Sequence, residues 1–102
     1  MALDRTRLAS LMQREQQRYV KEHPKSKALY ERACKSLLDG VPMNWMLKWA
    51  GAFPLFVREA QGAHFYDVDG KAYIDFCLGD SGAMTGHSPF ATFLGAVPVN
   101  TR

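Results

Sequence analysis

Chemistry in this sequence would have to come from a few residues between Lys48 and Ser88. Asp67-x-Asp69-Gly70 has the opening of a calcium loop. Its glycine stands at the fourth place instead of the sixth, and no ligating Glu follows at the required spacing. The same residues make a hairpin turn, because Asp and Gly both tolerate positive φ. Gly79, Gly82 and Gly86 make residues 78–89 a glycine-rich loop whose backbone can approach a ligand or another chain closely. That loop is neither G-x-G-x-x-G nor closed by Gly-Lys-Ser/Thr. A phosphate cradle is therefore weakly supported, and a tight bend over a neighbouring surface accounts for it as well.

His87 follows Gly86 and precedes Ser88-Pro89. A catalytic triad needs a positioned acid and a nucleophile. No nucleophile elbow surrounds Ser81 or Ser88, so the plainer reading is a loop histidine bonded to backbone. His23 and His64 are spaced too loosely to join it in a metal site. A Schiff-base lysine must be desolvated to keep its amine neutral. Lys71 follows a turn and is expected to be solvated, while Lys48 lies among aromatics. Cys34 and Cys77 are far apart, outside any CxxC, and read as reduced core residues.

These residues need elements to position them. Residues 3–22 have Leu8, Leu11, Met12, Tyr19 and Val20 near one helical face, and His23-Pro24 ends the helix. The spacing predicts a second helix over 27–38, capped by Ser26, with an apolar stripe of Leu29, Tyr30, Ala33, Leu37 and Leu38. Gly40 suits the left-handed position just past its end. Residues 41–54, rich in Trp, Met and Pro, have no period and are too apolar to hang in solvent. From Leu55 the period becomes two. Strands are predicted over 55–60, 63–67 and 71–77, with His64 and Tyr66 on one face and Phe65 on the other. Tight turns at Gln61-Gly62 and Asp69-Gly70 join them into an antiparallel meander. Five segments follow: helices in 1–40, an irregular apolar stretch in 41–54, the meander in 55–77, the glycine-rich loop in 78–89 and a tail in 90–102.

At 102 residues the chain holds one modest core at most. It is 47% hydrophobic and 23% charged, which excludes long disorder and coiled-coil arrays. A large organic cofactor is usually enclosed by a chain of about 250 residues or more. Net charge is +3, with the basic excess in the first 35 residues. A solvated helix face explains that excess better than a nucleic-acid patch does, for no recognition motif accompanies it. No apolar run approaches the ~20 residues of a membrane span, and no apolar stretch follows the N-terminus as in a secretory signal.

Residues 26–89 resemble class III pyridoxal-phosphate-dependent aminotransferases of fold type I, in the glutamate-1-semialdehyde aminomutase-like branch. The carriers of the resemblance are Gly62, Ala63, Phe65, Asp67, Asp69, Gly70, Tyr73, Asp75 and Phe76, in the order G-A-x-F-x-D-x-D-G-x-x-Y-x-D-F. A small-residue loop ending in Gly86-His87 follows at the family spacing. The implied fold is an α+β fragment: N-terminal helices followed by a three-stranded antiparallel β-meander, part of the small domain.

The resemblance implies a cytoplasmic, homodimeric transaminase or aminomutase acting on a small-molecule amino donor and a keto or aldehyde acceptor. Its cofactor is pyridoxal 5'-phosphate, and neither nucleic acid nor membrane is a partner. By family position Trp45 and Met46 lie on the substrate side, and Asp80, Ser81, Gly82 and Ala83 lie near substrate or cofactor. The arginine that holds a substrate carboxylate in the aminomutase branch has no counterpart in Asn44–Lys48. The family's phosphate cup, the acid paired with the pyridine nitrogen and the Schiff-base lysine cannot be placed in this chain. Residues 90–102 depart from the family pattern. The expectation is a truncated or frame-shifted segment, inactive alone, that diverges near Pro89. The alternatives are a small interaction module that pairs with a larger aminotransferase subunit, or a remnant without function.

Overall fold

The computed structural model describes residues 2–48 and 51–90, in two compact units, Met1–Phe56 and Val57–Arg102. In the first unit helix α1 spans Arg5–Glu22 and helix α2 spans Pro24–Ala33. Asp4 caps α1, its side chain accepting the Arg7 amide at 3.0 Å. His23 stands between the helices with extended φ, and its buried ring donates from Nδ1 to the Tyr19 carbonyl at 2.7 Å. Proline ends α1 as expected, but it also opens α2. At the first helical position its missing N–H costs nothing and its fixed φ suits the helix.

The second helix is therefore earlier and shorter than the predicted 27–38. Ser26 is not its cap. It lies inside the helix, fully buried, and its hydroxyl accepts the Phe56 amide at 3.1 Å. Leu37 and Leu38 lie beyond α2 and stay exposed, while Leu29, Tyr30 and Ala33 are half-buried. Gly40 does take positive φ, +71°, at the end of a 3-10 turn, Leu38–Gly40. A Cβ there would sit 2.7 Å from the Tyr30 ring and 2.8 Å from the Cys34 sulfur, so only glycine fits.

The irregular stretch is held by Phe53, which with Val41 forms the buried apolar core among the described residues. The Phe53 ring lies 4.9 Å from Tyr19 and 6.3 Å from Tyr30, and the Tyr19 hydroxyl donates to the Phe53 carbonyl at 2.6 Å. One aromatic residue thus ties a segment without period to both helices. Trp49, part of that stretch, lies outside the described residues, as does the predicted tail beyond Phe90.

The second unit is the expected antiparallel meander. Strands β1 (Val57–Gln61), β2 (His64–Asp67) and β3 (Ala72–Ile74) lie in the order β1-β2-β3. Glu59 pairs with Tyr66, Ala60 with Phe65 and Gln61 with His64; Phe65 pairs with Tyr73 and Tyr66 with Ala72. A register shift between Val57 and Glu59 marks a bulge. The predicted face parity holds. Phe65 and Tyr73 stack at 4.8 Å beside fully buried Asp67, while His64, Tyr66 and Ile74 are exposed.

Two strand boundaries moved for identifiable reasons. β1 starts after Phe56, whose amide is bonded to Ser26. β3 ends early because the Asp75 carboxylate captures the Cys77 and Leu78 amides, turning the backbone out of the ladder. The β2–β3 turn is closed by Gly70 N–H to the Asp67 carbonyl and Asp67 N–H to the Lys71 carbonyl. Of Asp69 and Gly70, only Gly70 takes positive φ (+88°), as in a three-residue hairpin loop. Cys34 and Cys77 are free thiols as expected, but both are exposed, since the turns that carry them lie on the surface.

Candidate functional site

The glycine-rich segment leaves the sheet at Asp75, after β3, and returns at His87, against Gly62 of the β1–β2 turn. At the return, His87 and Gly62 exchange backbone hydrogen bonds of 2.8 and 2.9 Å, and the Ser88 hydroxyl donates to the Ala60 carbonyl at 2.7 Å. The two ends are joined by side chains. Nε2 of His87 donates to Oδ2 of Asp75 at 2.7 Å, across twelve residues of sequence. Oδ1 of the same carboxylate accepts the amides of Cys77 at 2.9 Å and Leu78 at 2.8 Å. The His87 bond first, and then the Leu78 amide, hold the Asp75 carboxyl below the usual carboxylate range. The enclosed segment has the close ends of an Ω-loop.

Inside this loop Leu78 (φ +51°), Gly79 (+64°) and Asp80 (+60°) are consecutive left-handed residues. Two of them carry side chains, a conformation that costs about 1–3 kcal/mol each and persists only where surrounding bonds fix it. The bonds that fix it are Asp80 N–H to Cys77, Gly82 N–H to Gly79, Ala83 N–H to Leu78 and Gly86 N–H to Ala83. The Cys77 thiol also meets the Asp80 carboxylate at 3.3 Å. Asp80, Ser81 and Gly82 are exposed and Ala83 is half-buried. A Cβ added at Gly79 meets nothing within 4 Å, so the backbone there is open to an approaching group.

The other two sequence-predicted site residues lie in the first unit. Trp45 and Met46 occupy a 3-10 turn, Asn44–Leu47; Trp45 is exposed and Met46 half-buried. Met46 lines a small cavity of about 40 Å³ with Leu47, Phe53 and Pro54. A larger groove, about 340 Å³, lies along α1 between Met12, Arg18, Tyr19 and His23, and takes in none of the predicted residues.

The structure corrects two site readings, at His87 and at Lys71. His87 is not a histidine bonded only through backbone, because its ring has an acid partner in Asp75. The signal was present in sequence: Asp75 stands two residues before Cys77, where an Asp side chain folds back onto backbone amides. No hydrolytic triad results, since the nearby Ser88 hydroxyl is committed to Ala60. Asp67 is not a calcium ligand. Its carboxylate is closed inside the hairpin by the Lys71 amide at 2.8 Å and the Tyr73 hydroxyl at 2.9 Å. Among the described residues no group of His, Cys, Asp or Glu has metal-binding geometry.

Pyridoxal phosphate needs a desolvated lysine in a concave site. Lys48 is exposed. Lys71 is half-buried, not fully solvated as predicted, and its backbone closes the β2–β3 turn. No lysine lines either cavity. The described residues therefore do not build a holding site for the cofactor by themselves.

Comparison with known proteins bears on the same segment. No family model matches the chain. Glutamate-1-semialdehyde 2,1-aminomutase of Haloarcula marismortui is 41% identical over 66 residues, covering 65% of this chain and 14% of that protein. The enzyme of the same name from Methanocaldococcus jannaschii is 41% identical over 64 residues, covering 63% of this chain and 15% of that protein. Among solved structures, a lysine-to-alanine variant of a glutamate-1-semialdehyde aminomutase from Pseudomonas aeruginosa PAO1, in complex with PMP, superposes with a TM-score of 0.83. Identity is 45%, over 91% of this chain and 20% of that one. A β-phenylalanine aminotransferase from Variovorax paradoxus, 19% identical, shares the fold over 92% of this chain and 23% of its own, with a TM-score of 0.73.

The resemblance read from residues 26–89 thus holds: the relatives of this chain are pyridoxal-phosphate-dependent enzymes of the class III aminotransferase family. They are, more narrowly, glutamate-1-semialdehyde 2,1-aminomutases, and the α+β architecture is that of a piece of their fold. The chain spans 14–15% of the length of these curated relatives. Among the described residues no helix is long and apolar enough to cross a membrane.

Proposed function

We propose that this chain supplies one segment of a pyridoxal-phosphate-dependent aminotransferase or aminomutase, which moves an amino group to a keto or aldehyde acceptor. The segment lines the reaction space and does not hold the cofactor. Trp45 and Met46 present apolar surface to the substrate, and Asp80, Ser81, Gly82 and Ala83 present open backbone and small side chains to substrate or cofactor. The lysine, phosphate cup and pyridine-pairing acid come from sequence outside these residues. The working enzyme is a cytoplasmic homodimer with small-molecule substrates. The observation that carries this reading is the 0.83 TM-score at 45% identity with the PMP-bound Pseudomonas aminomutase.

A chimera tests it: residues 26–89 replace the matching segment of that Pseudomonas enzyme. Retained cofactor absorbance and measurable aminomutase turnover are expected. A folded chimera that neither binds cofactor nor turns over sinks the proposal.

A second reading is favoured by one observation. Leu38, Phe76, Met84 and Phe90 are 84%, 93%, 74% and 72% exposed, which is more large apolar surface than a free domain usually shows. That surface suits an interaction module covered by a larger aminotransferase subunit. Co-purification with such a subunit is its expected result, and a well-behaved monomer by light scattering contradicts it.

A further inference from the structure

We infer that His87 is a positioning residue, and that its hydrogen bond to Asp75 is the latch that sets the conformation of the loop carrying Asp80–Ala83. The loop is attached at its two ends, Asp75 and His87, and both meet the β1–β2 turn at consecutive residues, Ala63 and Gly62. Backbone bonds secure His87 to Gly62 and secure Asp75 to Ala63, where the Asp75 amide donates at 2.7 Å. These backbone bonds bring the two ends side by side but fix neither side chain. The 2.7 Å imidazole–carboxylate bond is the side-chain tie between them.

Its chemistry makes it a strong tie. A carboxylate only accepts, so Nε2 of His87 carries the proton, and the bond is charge-assisted. Asp75 has both oxygens in use: Oδ2 takes His87, and Oδ1 takes the Cys77 and Leu78 amides. The imidazole thereby aims the carboxylate whose other oxygen starts the left-handed run at Leu78. Loss of the ring frees Asp75 to rotate, and the strained residues Leu78 and Asp80 lose the anchor that holds them. The functional weight of the latch rests on the proposed role of Asp80–Ala83. The latch itself does not, and its test reads loop conformation instead of activity.

The experiment is amide hydrogen exchange on the full 102-residue chain, comparing the parent with His87→Ala, His87→Gln and Asp75→Asn. Gln places an N–H close to the position of Nε2, and so is the conservative replacement. His87→Ala is expected to speed exchange of the Cys77, Leu78 and Ala83 amides by about ten-fold or more, the scale of one charge-assisted hydrogen bond. The ladder amides of β2 and β3 stay within about three-fold of the parent, and His87→Gln recovers most of the loop protection. Equal loop exchange in His87→Ala and His87→Gln overturns the inference, because a latch must be rescued by a restored donor. If His87→Ala loosens the whole sheet, Asp75→Asn decides, since it keeps Oδ1 for the two amides but sets an amide nitrogen against the ring. Loosening confined to the loop upholds the latch, as does an unchanged loop whose ring has switched to the Nδ1–H tautomer with Nε2 accepting the new amide; an unchanged loop with the ring still Nε2–H refutes it. Histidine-ring 15N shifts add a readout that general destabilisation does not move. The Nε2–H tautomer is expected in the parent, and a mixture of tautomers in Asp75→Ala; an Nδ1–H tautomer in the parent refutes the latch.

Discussion

The phenol of Tyr73 donates to the carboxylate of Asp67 at 2.9 Å, inside a hairpin where Asp67 has no solvent exposure. The Lys71 amide takes the other oxygen at 2.8 Å. A buried carboxylate is tolerated because its lone pairs are met by donors the turn itself supplies. Asp67→Ala leaves the Tyr73 hydroxyl and the Lys71 amide without this partner and is expected to cost about 3 kcal/mol. Tyr73→Phe keeps the stack on Phe65 and should cost about 1.5–3 kcal/mol, the scale of one bond to a charged group. Urea titration followed by circular dichroism checks both. A neutral Asp67→Ala contradicts the assigned role.

Gly40 makes a second test because two penalties coincide there. Its φ of +71° is strained for any side chain, and a Cβ would press on Tyr30 and Cys34. Gly40→Ala is expected to destabilise the first unit by about 1–3 kcal/mol or more. Gly70→Ala, at φ +88° with nothing within 4 Å of its Cβ, meets the strain alone and should cost less. Thermal melts of the two variants give the order directly, and the reverse order contradicts the packing described.

Phe53 is the third. It is buried against Tyr19 and Tyr30 and is the residue through which residues 41–54 hold to the helices. Phe53→Ala is expected to cost about 3–5 kcal/mol, the usual loss for a truncated core aromatic. Because Val41 is the other buried apolar side chain among the described residues, loss of the unit's cooperative melt is the expected observation. An unchanged melt contradicts the assignment.

What was legible in sequence follows from which signals are local. The meander could be read because alternation fixes strand parity and Gly70 fixes a turn, so His64 and Tyr66 fell on one face and Phe65 on the other as expected. Helix α2 was misplaced because Ser26 is a good cap by type, and its true partner, the Phe56 amide, is thirty residues away. The second function of Pro24, as a helix opener, was masked by its first as a terminator. The site was half legible. The glycine-rich loop announced itself by composition, while the Asp75–His87 bond joins residues twelve apart whose meeting depends on the β1–β2 turn that holds both.

Acid offers a fourth prediction. Asp75 is held below the ordinary carboxylate value, about 3.9, chiefly by the His87 hydrogen bond. A carboxyl with a lowered folded-state pKa adds stability that is present above the unfolded value and is lost as pH falls through the folded one. The loop is therefore expected to keep its conformation down to about pH 4 and to loosen only below it. The carboxyl 13C shift of Asp75, followed from pH 6 to pH 2, measures this. A midpoint above about 4 contradicts it.

On the proposed reading these residues line a pyridoxal-phosphate site that they do not complete. The most direct measurement is the mass of the 102-residue chain after incubation with pyridoxal phosphate and reduction with borohydride, with turnover assayed alongside. The account predicts no stoichiometric adduct at any single lysine and no transamination. One lysine fully modified, with turnover in the unreduced sample, would contradict it.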